Sequence, residues 1–329
     1  MPKHASTLPS LARVLPLVLV TVLAAGACAK PEMRSTLNRR PTAAEMAQLW
    51  VKPDNIARRD LFWGAGGEKY APKPGTTFDV KAFDETGMSG GWDLEDPATK
   101  MEYSVKIGVE AQVEVVASRL LWAVGYHQPP TYLLIDYDLS GERANEMALT
   151  GRFRPKIGDE MDNVSDWSWH ENPFVGTREF KGLITLMVML NNWDIKESQN
   201  KIYEIKRPGN APTQWYVVRD LGAAFGKTAW PVGSKSSPDD FEKQQLLKRI
   251  VNNRQVEFDY DARHKELFEG ITVDDVIWIS ELMNQITPKQ YADAFRAAAY
   301  PDDVTERFIS KLRSKVQEGL NLKTTGRRR

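Results

Sequence analysis

The sequence predicts an α+β chain of two lobes, a small β-rich lobe with one main helix followed by a larger, mainly helical lobe. Three features predict it. Apolar and polar residues alternate with period two in short segments between Phe78 and Ile107. The period then lengthens to about 3.6 from Glu110 to Val124. From Arg178 onward, helical stripes dominate. On this reading residues 1–28 are an export signal, 29–74 a tether and N-terminal extension, 75–140 the small lobe, 141–322 the helical lobe and 323–329 a basic, disordered tail.

Lys3 and Arg13 give the leader a basic start, Val14 to Leu23 an apolar run, and Ala24-Ala25-Gly26-Ala27 the small residues that a signal peptidase requires. The run is too short to span a bilayer, and no later stretch approaches the roughly 20 apolar residues a membrane helix needs. Two cleavages compete. Ala25-Gly26-Ala27-Cys28 loosely fits a lipobox that would lipidate Cys28, although the usual Leu is missing. Ala27-Cys28-Ala29 alternatively fits an ordinary signal-peptidase site. The chain is expected to be exported, as a periplasmic or cell-envelope lipoprotein or as a secreted protein, and to touch a membrane only through a lipid on Cys28. Cys28 is the single cysteine, so no disulfide or cysteine metal cluster holds the mature chain.

Once the leader is removed, about 300 residues remain, enough for a substantial core. Lys and Arg total 44 against 44 Asp and Glu, and loss of Lys3 and Arg13 leaves a slight acidic excess. The basic block Arg327-Arg328-Arg329 is a chain end, and nothing else predicts a nucleic-acid surface.

Between Lys30 and Pro74 one helix is expected near Thr42-Ala43-Ala44-Glu45, capped by Thr42. Phe78-Asp79-Val80 and Trp92-Asp93-Leu94 read as strands around a glycine-rich turn, and Tyr103 to Ile107 as another strand. In the helix from Glu110 to Val124 the stripe is Val113, Ala117, Leu120, Leu121 and Val124, and Gly125 ends it. Tyr132 to Ile135 reads as a buried strand, and an irregular polar connection follows through Asp162. Arg178 to Leu190 is a central buried helix, Lys201 to Ile205 and Gln214 to Val218 form a hairpin around Pro208-Gly209-Asn210, and helices are expected over 239–251, 273–285, 288–299 and 304–320.

Phosphoryl transfer needs a cation on the phosphates, an acid that fixes the cation, metal ligands, and a base or positioning group at the acceptor. Lys106 ends a strand, and the next helix carries Glu110 and Glu114 on or beside its apolar stripe, where a carboxylate needs a partner. A buried Lys106–Glu114 pair would satisfy both, with Glu110 as the alternative acid. Asn191 to Asn200 follows the apolar helix and precedes a strand. There Asp194 would orient or deprotonate an acceptor hydroxyl, Lys196 would neutralise charge on the transferred group, and Asn200 would help hold a metal. Tyr216 to Gly222 is an apolar strand ending in Asp220-Leu221-Gly222, with Asp220 placed to coordinate magnesium.

In that order, Lys106-Ile107-Gly108, Glu110, Glu114, Asn192-Trp193-Asp194 and Asp220-Leu221-Gly222 resemble an exported bacterial branch of the protein-kinase-like superfamily, closer to the atypical HipA and CotH types than to eukaryotic protein kinases. The resemblance spans Phe78 to Leu322 through short motifs. It implies a bilobal kinase-like fold, ATP with Mg2+ or Mn2+ as cofactors, and Ser89, Gly90 and Gly91 approaching phosphate through backbone amides. Departures are visible. Asn192-Trp193 stand where His-Arg is usual, no full G-x-G-x-x-G is present, and the interval from Asp194 to Asn200 is six where five is usual, with Gln199 at five. The acceptor is open: protein, carbohydrate, lipid head group or small molecule.

Other readings compete. Gly87-Met88-Ser89-Gly90-Gly91 matches the nucleophile elbow of serine hydrolases, but a strand-like segment follows it and no downstream histidine has a matching context. His127, His170 and His264 are scattered in the sequence and read as surface or core histidines, His170 within an aromatic loop from Trp167 to Phe174. A pseudokinase or nucleotide-binding scaffold would keep the fold without transfer, and an AMP transferase would keep the nucleotide chemistry with a different transferred group.

Overall fold

The computed structural model describes residues 31–84, 91–141, 150–229, 231–252 and 254–325. The leader, the lipidation candidate Cys28, and Ser89 and Gly90 of the glycine-rich turn lie outside the described residues, as does the end of the basic tail. The described chain is a mixed α+β structure.

Order begins early. A short strand β1 (Arg34–Ser35) leads to helix α1 (Ala43–Met46), where Thr42 and Glu45 cap each other's backbone N–H groups. Leu49, Ile56 and Leu61 are then buried in the main core. From Arg34 on, the stretch expected to be a tether and N-terminal extension packs on the body, with these apolar residues buried in the main core.

Period-two alternation builds a six-stranded sheet from β2 (Thr76–Asp84), β3 (Gly91–Glu95), β4 (Glu102–Ile107), β5 (Tyr132–Leu134), β6 (Tyr137–Ser140) and β7 (Gly151–Pro155), in the order β5-β7-β4-β3-β2-β6. β7 extends the sheet past the expected boundary at residue 140. Its sequence, Gly-Arg-Phe-Arg-Pro, hides the strand because charged residues occupy buried positions. One face carries Phe78, Tyr103, Val105, Tyr137 and Phe153, which pack as an aromatic core. Side chains alternate across a strand, so Lys106 of β4 and Arg152 and Arg154 of β7 point to the other face. Helix α2 (Val109–Ala123) packs there, against β4, β5 and β7.

The polar connection expected to be irregular forms β8 (Met161–Asp166), an exposed edge strand. After β9 (Glu171–Asn172), which pairs with β1, comes helix α3 (Arg178–Met189), capped by Thr177 and buried along its apolar residues. The hairpin β10 (Asn200–Ile205) and β11 (Thr213–Val218) forms in the expected place and joins β8 in a three-stranded sheet.

The helix expected over 239–251 is instead α4 (Pro238–Lys243) followed by strand β12 (Leu247–Val251), paired with β13 (Gln255–Phe258). Two causes are visible. The backbone N–H groups of Leu246 and Leu247, which a helix would use internally, donate to Glu318, and Asn252 adopts a left-handed conformation that opens a hairpin turn. Helices α5 (Val273–Met283), α6 (Pro288–Arg296) and α7 (Asp302–Thr325) complete the core around α3, α7 running into the segment expected to be a tail. Among the described residues, no helix is long and apolar enough to cross a membrane.

Candidate functional site

Lys106, at the end of β4, lies against the start of α2 and the end of β11. Its Nζ is 2.6 Å from Glu110 Oε2 and 2.6 Å from Asp220 Oδ1. The acid that holds the lysine is thus Glu110, in the first turn of α2, and not Glu114, one turn on. The reason is the neighbouring strand. Arg152 pairs across the sheet with Lys106, and Arg154 with Ser104, so the face beneath α2 already holds further cations. Glu114, only 1% exposed, takes these: Arg154 Nη2 donates to its Oε1 at 2.5 Å, and Arg152 Nε stands 3.3 Å from its Oε2. That second contact is poorly aligned for a hydrogen bond and acts as an ion pair.

The charges fix one another's protonation. Burial works against the charge of Lys106, but Glu114, Asp220 and Glu110 outweigh it and raise its pKa. Burial likewise pushes Glu110 up, and Lys106 with Lys235 brings it below the ordinary carboxylate value. For Glu114 burial is opposed by Arg152, Arg154, Lys106 and Arg219, which lower its pKa to about 2.

Asp220 follows β11 in the left-handed region, at φ 60°, a conformation Asp tolerates better than most residues. It turns the chain so that Leu221 is buried and Gly222 meets α2. A Cβ on Gly222 would lie 2.7 Å from the Cβ of Glu110, so only glycine allows this approach.

The loop of Asp194 begins where α3 ends. Asn191 is left-handed at φ 53°, its N–H bonds Val188 O at 3.0 Å, and Asn192 N–H reaches back to Met187 O at 2.8 Å, closing the helix as a Schellman motif. The Asn191 side chain is fully buried and donates to Gly226 O and Gln244 Oε1. Asp194 Oδ2 accepts from Lys196 Nζ at 2.6 Å and from Gln199 Nε2 at 3.5 Å, while Gln199 Oε1 accepts from the Lys196 N–H. Gln199 is therefore spent inside its own loop. Asn200 is different: it is fully buried, and among the described residues neither its Oδ1 nor its Nδ2 has a hydrogen-bond partner. It opens β10 in register with Val218, two residues before Asp220. The Arg219 N–H donates to Gln199 O, and the Trp193 N–H to Ala223 O, so both loops are tied side by side.

Of the sequence-selected residues, the structure brings together Lys106, Glu110 and Asp220, and separately Asp194 and Lys196. Gly91, the one described member of the glycine-rich turn, opens β3 as the direct cross-strand partner of Lys106. Sequence reasoning missed Lys235, which forms a second ion pair with Glu110, and the Arg152 and Arg154 pair that claims Glu114. The Arg-Phe-Arg alternation could have announced the arginines. Lys235 sits in a Gly- and Ser-containing loop and gives no periodic signal. A cleft lined by Met283, Tyr291 and Arg313 lies elsewhere and borders none of these residues.

No protein-family model matches the sequence, and no curated protein matches it. Among solved structures, the chain is similar to the Helicobacter pylori proinflammatory kinase CtkA, at 11% identity and a TM-score of 0.46, over 78% of this chain and 98% of that one.

Proposed function

We propose that this chain is a bilobal, atypical kinase-like phosphotransferase that uses ATP and Mg2+ or Mn2+. The observation that carries the proposal is the meeting of Lys106 with both Glu110 and Asp220, residues from a strand, a helix and a loop. In this role Lys106 exchanges Asp220 for a phosphate oxygen while Glu110 keeps it in place. A divalent cation would neutralise phosphate charge, held by Asp220 and Asn200. The residues fit such an ion, since an unpartnered buried amide stands in register with the strand that delivers a carboxylate, and hard cations take oxygen ligands of both kinds. Gly91 leaves the strand next to Lys106 bare of side chain, which suits approach of the backbone to phosphate. Asp194 would position the acceptor hydroxyl, and Lys196 would face the charge that builds on the transferred group.

Export places the reaction outside the cytoplasm. Lipidation at Cys28 would hold the body close to a membrane, because the chain is packed from Arg34 onward. The acceptor is a protein, carbohydrate, lipid head group or small molecule.

A scaffold without transfer is the second reading, favoured by one observation: the acids that would serve nucleotide and metal are already matched by lysines, Glu110 by Lys235 as well as Lys106. Thermal unfolding with ATP and Mg2+ or Mn2+, in the native chain and in Asp220→Ala, separates the readings from a chain with no nucleotide site. A metal-dependent rise in Tm that Asp220→Ala abolishes is expected, and no rise in the native chain overturns the proposal. Labelled ATP with candidate acceptors then distinguishes phosphate transfer, AMP transfer and a scaffold.

A further inference from the structure

Two of the histidines that look scattered in the sequence, His170 and His264, meet in space. His170 precedes β9, His264 leads into the 3-10 turn at Lys265–Phe268, and Glu266 lies in that turn. His170 Nε2 is 2.8 Å and His264 Nδ1 3.1 Å from the same oxygen, Glu266 Oε1, and the three candidate ligand atoms lie within 4.8 Å of one another. We infer that His170, His264 and Glu266 form a binding site for a zinc-type divalent transition metal, separate from the Lys106 cluster.

His170, 8% exposed, has a carboxylate at each ring nitrogen: Glu197 Oε1 is 3.0 Å from Nδ1, and Glu266 Oε1 is 2.8 Å from Nε2. A neutral imidazole has one N–H, so one of those nitrogens presents a lone pair to an anion. In the tautomer whose Nδ1–H donates to Glu197, that carboxylate also accepts from Ser168 Oγ at 2.5 Å. Nε2 is then the bare nitrogen, facing Glu266. His264 brings its Nδ1 to the same carboxylate oxygen, so two imidazoles and a carboxylate converge on one point, a donor set that suits a divalent cation.

A metal fits that demand. Zinc binds imidazole nitrogen and carboxylate oxygen at about 2.0–2.2 Å, and ligands at tetrahedral corners then stand ~3.4 Å apart. The observed 2.8 and 3.1 Å separations from Glu266 lie close to that spacing, with all three ligand atoms within 4.8 Å of one another. Glu197 completes the pattern, because metal-bound histidine commonly donates its second N–H to a carboxylate that sets its tautomer. The partial exposure of His264 and Glu266 leaves an entry path and room for water as a further ligand. Glu197 opens the 3-10 turn between Lys196 and Asn200, so the ion would also brace that turn.

The competing occupant is a proton, which would make the cluster a simple imidazolium ion pair. Untagged full-length chain, stripped with EDTA and titrated with Co2+ or Zn2+, separates them. Saturable binding of a single equivalent is expected at micromolar metal, with Co2+ giving visible absorption bands of a low-coordinate site. His170→Ala and His264→Ala should abolish it, and Glu197→Gln should weaken it by about 10- to 100-fold. Asp220→Ala should leave it unchanged, which keeps this site distinct from the proposed nucleotide metal. Circular dichroism of the metal-free variants checks that they fold. Absence of saturable binding in the native chain overturns the inference, and so does a folded His264→Ala that binds like it.

Discussion

Gly222 stands against Glu110 so closely that a Cβ on the glycine would lie 2.7 Å from the glutamate's own. This contact lets Asp220 and Glu110 reach Lys106 together. Gly222→Ala should push the Asp220 turn off α2, lowering stability by about 1–3 kcal/mol as overpacking does and weakening nucleotide binding. Gly158→Ala is the comparison, since a Cβ there meets nothing within 4 Å. Thermal unfolding and nucleotide titration of both variants test the claim, and equal behaviour would refute it.

Glu110 and Glu114 are one helical turn apart yet should fail differently. Glu110→Gln leaves Lys106 paired with Asp220, so the fold should persist while nucleotide affinity drops. Glu114→Gln strips Arg152 and Arg154 of their shared acid inside the structure, and losing one partner of a buried ion pair costs about 3–5 kcal/mol. Urea unfolding beside nucleotide titration should show stability lost in one variant and affinity in the other. The reverse pattern would mean that Glu114 serves Lys106.

The same pair sets an acid limit. The folded pKa of Glu114 is about 2, below its ordinary 4.5, so the folded state binds this proton less readily than the unfolded one. Its stabilisation is fully present above pH 4.5 and is lost as pH falls toward 2. Between those values the Tm of the native chain should fall more steeply than that of Glu114→Gln. Parallel curves would contradict the buried charge.

How much of this was written in the sequence depends on which force placed each residue. Asp194 and Asp220 were legible because each follows a strongly apolar element that ends in residues suited to a left-handed turn. Lys106 was legible from its strand, but its partner was not. Helical spacing places Glu110 and Glu114 near one stripe, and the choice between them belongs to Arg152 and Arg154 on a strand whose inward charges break the apolar alternation. The strand β12 was hidden for a related reason, since Glu318 on the distant α7 captures the backbone that would otherwise have continued as helix. The His170–His264 meeting joins residues from separate turns and has no local signature at all.

Asn200 and Asp194 are predicted to act at different stages. Asn200→Leu fills the site of a buried, unpartnered amide with an apolar group of similar size, so the fold should hold while metal-dependent nucleotide binding is lost. Asp194→Asn should keep binding and lower turnover by about 10²- to 10⁴-fold, the usual worth of a positioned base. Calorimetric titration and a labelled-ATP assay read the two effects. Unchanged metal dependence in Asn200→Leu would remove this residue from the site.

Lys315 lies under the loop that carries Asp194, wholly buried, with its Nζ donating to Val188 O at 3.2 Å and to the Asn191 side chain. These acceptors at the end of α3 favour the ammonium form, but burial, with nearby Lys311, outweighs them and lowers its pKa from 10.5 to about 7. From pH 7 to 10.5 the unfolded chain holds a proton that the folded chain has released. Stability should therefore rise with pH across that window, with a slope of up to about 1.4 kcal/mol per pH unit. Lys315→Met removes the titrating group while filling most of its volume, so its stability should not show that rise. Urea unfolding at intervals from pH 7 to 10 compares the slopes rather than the absolute stabilities, which also change when the bonds to Val188 and Asn191 are lost. Equal slopes would mean that Lys315 stays charged in the fold and acts as a cationic cap on α3.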